Sequence, residues 1–106
     1  MKGELASGWE KRIPSKADLP QEPTATRKAS GILVNAFLPD DESFISGSAD
    51  IMESTFINFK GSKEFQKPDG GLGDYKGRLF RFGIREHAMV GLGNGLAAYQ
   101  KGMFIP

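Results

Sequence analysis

The sequence predicts an α/β fold with an open sheet, and three observations carry that expectation. Apolar residues recur at helical spacing over residues 24–38 and again over 85–100, and short apolar runs that read as strands lie at 44–46 and 79–82. An acid, Glu86, sits where the second of those runs stops at Gly83 and helical character begins. In an open α/β sheet, ligands collect at the carboxyl ends of strands and the amino ends of the helices that follow, so an acid at this junction faces a cleft. A glutamate in a first helical turn also complements the helix dipole, a role worth about 0.3–1 kcal/mol that by itself implies no chemistry.

The size allows one domain at most. With 106 residues, 39% of them apolar, the chain buries only a modest core. Fourteen basic residues against thirteen acidic leave a net charge of +1, so the overall field implies neither nucleic acid nor an anionic membrane as partner. The absence of cysteine excludes disulfides, thiolate metal sites and cysteine nucleophiles, and mildly favours a reducing compartment. Charged residues and the lack of an apolar run at the amino end exclude a secretory signal or membrane span there. With no targeting signal visible, a cytoplasmic or peroxisomal location is expected.

Residues 1–23 have linker composition, with two glycines, two prolines before Pro23 and no sustained period; Trp9 is expected to anchor this segment on a neighbouring surface. Residues 24–106 form the domain. Thr24 or Thr26 is placed to cap a helix that Pro39 ends, and Ala29, Ile32, Leu33, Ala36 and Phe37 fall on one face of it, expected to pack on the sheet. Arg27 lies in the first turn, where a cation opposes the helix dipole and so has no helical reason to be. Phe44-Ile45-Ser46 reads as a brief buried strand, and Gly47-Ser48-Ala49-Asp50 follows it. Small residues at a strand's carboxyl end let a ligand approach the backbone, and the aspartate supplies an acceptor; a simple Asx turn explains the same residues.

Residues 51–77 hold four phenylalanine or isoleucine residues after Met52 among lysines and five glycines, and no helix or strand of normal length fits them. A long irregular stretch in a compact domain is functional or mobile. Gly70-Gly71-Leu72-Gly73 lacks both the preceding strand and the spacing of a dinucleotide fingerprint. Leu79, Phe80 and Phe82 then read as a strand between arginines. Ala88, Met89, Leu92, Leu96 and Tyr99 follow at helical spacing, and Gly91, Gly93 and Gly95 within that helix each cost about 1 kcal/mol relative to alanine. Close approach of another helix, from a second subunit or from the same domain, is the natural compensation. The last residues, Met103-Phe104-Ile105-Pro106, start like a strand that ought to continue, which predicts a domain truncated at its C-terminal end with an unpaired apolar edge.

Gly83-Ile84-Arg85-Glu86-His87-Ala88-Met89, preceded by Gly47-Ser48-Ala49-Asp50 and Ala25-Thr26-Arg27-Lys28, resembles the transketolase family of thiamine diphosphate enzymes. Three separated motifs occur in the family's order, and the likeness runs from about Trp9 to Phe104. The resemblance implies a partial parallel-sheet thiamine diphosphate-binding domain, the pyrimidine-binding one, and an activity of two-carbon ketol transfer between sugar phosphates. The short connection from Tyr99 to Pro106 looks slightly more like dihydroxyacetone synthase, which transfers that unit to formaldehyde. Glu86 matches the family's catalytic glutamate, which shares a proton with the cofactor's pyrimidine nitrogen from a dry cleft and so drives the tautomeric shift that lets the aminopyrimidine deprotonate the thiazolium carbon. Asp50 matches an aspartate that contacts the cofactor between two subunits. Phe104 aligns loosely with an aromatic residue packed on the pyrimidine ring. Arg27 and Ser54 match positions that bind a substrate phosphate.

The chain departs from the family's pattern in two ways. Ile51, Met52 and Glu53 follow Asp50 where the family has leucine, threonine and a small residue or proline; a carboxylate beside Ser54 would repel a phosphate dianion. The family's diphosphate-binding domain, which holds the divalent metal, Mg2+ or Ca2+, has no counterpart in these residues, so a diphosphate-binding partner segment and a homodimeric complete enzyme are implied, with the fragment inactive alone. His87, the single histidine, reads as structural. Two rival readings remain: a non-catalytic truncated module that associates with a full-length relative, and an unrelated small α/β binding domain.

Overall fold

The computed structural model describes residues 7–99 and the backbone of 104–105. Two short 3-10 turns, Trp9–Arg12 and Lys16–Asp18, lead into α1 (Thr26–Phe37), followed by β1 (Ile45–Ser48), the single-turn helix α2 (Met52–Thr55), β2 (Glu64–Phe65), β3 (Gly73–Asp74), β4 (Leu79–Arg81), α3 (Glu86–Tyr99) and β5 (Phe104–Ile105). The five strands form one sheet in the order β3-β2-β4-β1-β5, with every pairing parallel. The sheet is the α/β architecture expected, and its strands are short because the 51–77 stretch contributes only two-residue pieces.

Two small cores hold it. Val34 and Leu38 meet Phe59, with Phe37 and Phe44 packed around them. Met52 and Ile57 meet Leu79 on one face of the sheet. On the opposite face Phe65, Phe80 and Phe82 stack in a row across β2 and β4, with ring centroids 4.8 and 6.1 Å apart. Gly47 makes this row possible: it pairs with Phe80 in the ladder, and a methyl group at Gly47 would lie 2.7 Å from the Phe82 ring and 2.9 Å from the Phe80 carbonyl oxygen. The small residue near the end of β1 therefore serves packing between strands.

Helix α1 starts at Thr26 with Ala25 at its N-cap and no side-chain cap, because Thr24 instead donates its hydroxyl to the Glu22 carbonyl. Its buried residues are Gly31 and Val34; Gly31 abuts Phe56, and the Lys60 amide donates to Asn35. The face predicted to lie on the sheet is only half covered, with Leu33 44% exposed, and residues 56–60 pack on α1 through Gly31, Val34 and Asn35. Trp9 anchors on Phe37 at 6.3 Å, as its isolation suggested. At the amino end of β4, the Arg78 guanidinium donates to the carbonyls of Asp41, Phe44 and Pro39 and lies 4.6 Å over the Phe59 ring. The amino ends of the central strands are thus tied down. Their carboxyl ends are left open.

Candidate functional site

The chain leaves β1 into α2, whose Met52 packs on the Leu79 face of the sheet, and leaves β4 into α3, whose Leu96 borders Ile45 and Phe80 on the other face. Adjacent parallel strands whose connections depart to opposite faces create a crevice between their carboxyl ends, where ligands of α/β sheets bind. Here that crevice lies between β1 and β4. Ser48 pairs with Arg81, the Phe82 amide donates to the Ser48 carbonyl at 3.0 Å, and both strands then turn away in left-handed backbone, Asp50 at φ 68° and Gly83 at φ 60°. For glycine this conformation is free; for aspartate it is uncommon, and such residues concentrate where function demands them.

A cavity of about 220 Å³ opens there, lined by Ser48, Asp50, Met52, Arg81 and Gly83. Arg85 closes the turn by donating its side-chain N–H to the Phe82 carbonyl at 2.7 Å, and its amide donates to the Gly83 carbonyl. Glu86 is the first residue of α3. The structure therefore brings Asp50 and the turn that carries Glu86 to one crevice from segments over thirty residues apart in sequence. Ile51 and Ile84, the neighbours of Asp50 and Gly83 in sequence, are 56% and 80% exposed.

One expectation is not met by this chain's own residues. Glu86 is exposed, so the dry cleft anticipated for it is absent among the described residues. The cause is visible in α3 as a whole: it is apolar nearly all round, yet none of its residues is buried, and nothing lies within 4 Å of a Cβ placed on Gly91 or Gly95. A helix of this character is built to be covered, and among the described residues only its Leu96 side borders the sheet. Packing among the described residues therefore does not account for those two glycines.

Arg27 and Ser54 lie on α1 and α2, which contact each other through Gly31 and Phe56. Both are exposed, and the Ser54 hydroxyl donates to the Ile51 carbonyl. The uncapped start of α1 adds unpaired amide N–H groups next to Arg27. The Phe104 backbone pairs with Ile45 on β5, beside β1, while its side chain lies outside the described residues. His87 is exposed in the first turn of α3.

Sequence reading missed one group. Arg81 donates through Nε to Glu64 on β2 and through Nη1 to Glu53 on α2 at 3.1 Å, and it lines the cavity together with Asp50. These contacts raise the pKa of Arg81, Glu64 first and Glu53 second; Glu53 in turn is held below the usual carboxylate range by its own backbone N–H and then by Arg81. The partners are 17 and 28 residues from Arg81, a separation without any local signature. Glu53, anticipated as a bare carboxylate beside Ser54, is paired.

Comparison with known proteins agrees with this geometry. The family described as "Transketolase, pyrimidine binding domain" matches residues 22–106. Dihydroxyacetone synthase of Candida boidinii is 44% identical over 111 residues, covering 100% of this chain and 15% of the relative. Transketolase of Scheffersomyces stipitis is 42% identical over 99 residues, covering 92% of this chain and 14% of the relative. The crystal structure of a Pichia stipitis transketolase complex with sedoheptulose 7-phosphate superposes with a TM-score of 0.81 at 41% identity, over 93% of this chain and 14% of that one. The chain thus spans about 15% of the length of the curated relatives it matches. On sequence, fold and the position of its strand-end motifs, the chain belongs to the transketolase family, of which it carries the pyrimidine-binding domain.

Proposed function

We propose that this chain forms the pyrimidine side of a thiamine diphosphate site in an enzyme that moves a two-carbon ketol unit between sugar phosphates or to formaldehyde, and that it is inactive without a segment that grips the diphosphate. The observation that carries the reading is the meeting of Asp50 and the Glu86 turn at the switch-point crevice, in a chain whose relatives are transketolases and dihydroxyacetone synthases. The residues fit a flat heterocycle: Asp50 lines the crevice, Glu86 heads the helix that leaves it, and the exposed apolar Ile51 and Ile84 stand next to Asp50 and Gly83 in sequence.

When bound, thiamine diphosphate supplies the carbon nucleophile that accepts the two-carbon unit. Glu86 holds a proton at its carboxyl against the pyrimidine ring, a role that strengthens once water is excluded from the crevice. Asp50 accepts a hydrogen bond from the cofactor at the left-handed turn that follows β1. Phe104, at the start of β5, packs on the ring. Arg27 and Ser54 take the substrate phosphate at the open start of α1 and the exposed edge of α2. A Mg2+ or Ca2+ ion belongs with the diphosphate-binding segment.

Cover for Glu86 comes from a second subunit in a homodimer, and the exposed apolar length of α3 with open space at Gly91 and Gly95 supports this. The enzyme works in the cytoplasm or the peroxisome. The decisive experiment mixes the chain with a diphosphate-binding transketolase segment, thiamine diphosphate and Mg2+. Ketol transfer by the mixture and none by either part supports the proposal. Tight association with no gain in activity would instead favour a non-catalytic module that docks through α3.

A further inference from the structure

We infer that Ser48 is a further cofactor-binding residue of the crevice: its hydroxyl donates to the pyrimidine ring nitrogen that neighbours the amino-bearing carbon, and with Asp50 it reads that edge of the ring. The inference rests on the thiamine diphosphate reading above.

Ser46 and Ser48 share one face of β1, since side chains two residues apart along a strand point the same way. Both are buried, at 0% and 4% exposed. Their hydroxyls fare differently. Ser46 donates to the Ile57 carbonyl at 3.0 Å, whereas the Ser48 hydroxyl has no hydrogen-bond partner among the described residues. A buried hydroxyl is nearly always paired, because losing its bonds to water without replacement costs free energy. Ser48 lines the crevice beside Asp50, Met52, Arg81 and Gly83, so the open space at this side chain is the space the ligand takes. Pairing with Arg81 in the ladder, and the bond from the Phe82 amide to its carbonyl, hold Ser48 where β1 and β4 part. The backbone is committed to the sheet; the side-chain oxygen is not.

Hydrogen-bonding capacity decides what that oxygen meets. A carboxylate only accepts, so Asp50 takes the ring's amino group, which donates. Next to the amino-bearing carbon is a ring nitrogen with a lone pair and no hydrogen, and it calls for a donor. Asp50 supplies none. The hydroxyl two residues earlier on β1 does. An acceptor and a donor close together on β1 match a ring edge that offers a donor and an acceptor, and Glu86 is left for the nitrogen across the ring from the amino group.

The test uses the full polypeptide in its native assembly. Dissociation constants are measured by calorimetry, with Mg2+ in excess, for thiamine diphosphate and for its pyridine analogue, in which C–H replaces the ring nitrogen next to the amino-bearing carbon. The unmodified protein, Ser48→Ala and Ser46→Ala are compared, and the Tm of each is read without cofactor. Loss of one neutral hydrogen bond should weaken thiamine diphosphate binding by Ser48→Ala about three- to tenfold, while the analogue binds that variant and the unmodified protein equally well. Tm should be unchanged or higher in Ser48→Ala and lower in Ser46→Ala, which loses its bond to Ile57. Thiamine diphosphate binding as tight in Ser48→Ala as in the unmodified protein overturns the inference and leaves the thiamine reading standing. An equal loss for both ligands, or a fall in Tm as large as that of Ser46→Ala, overturns it too, since either makes the hydroxyl structural. If the unmodified protein binds no thiamine diphosphate, the thiamine reading falls and the inference with it.

Discussion

Gly47→Ala tests how closely β1 and β4 must approach to form the crevice. The new methyl group would lie 2.7 Å from a ring carbon of Phe82, 2.9 Å from the Phe80 carbonyl oxygen and 3.0 Å from the Phe80 Cβ. The ring can swing aside, but the carbonyl belongs to the backbone of β4, paired with Gly47 itself in the ladder, and the Cβ is fixed to that backbone. Alanine in place of glycine restricts the unfolded chain and recovers about 0.4–1 kcal/mol, while overpacking against a fixed backbone costs about 1–3 kcal/mol. Overpacking wins, for a net loss of about 1–2 kcal/mol. For a chain of this length that lowers Tm by about 4–15 °C. Urea unfolding followed by circular dichroism at the helix band reads the loss. Gly47→Ala/Phe82→Leu separates the causes: it relieves the ring contact alone, so it should recover less than half. A Gly47→Ala protein as stable as the parent, or full recovery in the double variant, would refute the claim that the backbones of β1 and β4 set the spacing.

Further outcomes follow from the same contacts. Leu79→Ala empties the centre of the Met52–Ile57–Leu79 cluster and should cost about 2–5 kcal/mol by urea unfolding, far more than truncating the exposed Leu72. Asp50→Gly should remove the cost of a left-handed aspartate, raising stability by up to about 1 kcal/mol, while weakening thiamine diphosphate binding by titration in the assembled enzyme; a variant both less stable and equally able to bind would contradict the placement of Asp50. Asp18, through the Ser15 hydroxyl and amide, Asp74, through the Lys76 amide, and Glu53, through its own N–H and Arg81, all have pKa values lowered from 3.8, 3.8 and 4.5. Lowered carboxylates stabilise the fold above their unfolded pKa and lose that contribution as pH falls through the folded value, so Tm should hold steady down to about pH 5 and decline below about pH 4, with less decline in Asp18→Asn.

The turn from β4 into α3 was legible in sequence because it is local: an apolar strand pattern, a glycine, then helical spacing headed by an acid. The position of α1 was legible for the same reason, although its start was not, since Thr24 spends its hydroxyl on Glu22 and leaves the helix uncapped. What failed were statements about burial by distant parts. Leu33 is expected to lie on the sheet and is instead 44% exposed, while Gly31, Val34 and Asn35 on the same helix meet residues 56–60. Gly47 has the look of a ligand-facing glycine, and only the register with Phe80 reveals its packing role. Glu86 was expected in a dry cleft, yet dryness depends on whatever covers α3, and no residue in its own neighbourhood encodes that cover. The Glu53–Arg81–Glu64 group joins α2, β4 and β2, elements that only the sheet brings together.

The central claim is that the carboxyl of Glu86 shares a proton with the pyrimidine of a bound thiamine diphosphate. It is tested most directly by the exchange rate of the cofactor's thiazolium C2 proton, followed by rapid quench and NMR in the assembled enzyme with and without Glu86→Gln. Loss of a positioned proton-sharing group predicts exchange slowed about 100- to 10,000-fold while the cofactor stays bound. Exchange at the parent rate in the glutamine variant would contradict the account.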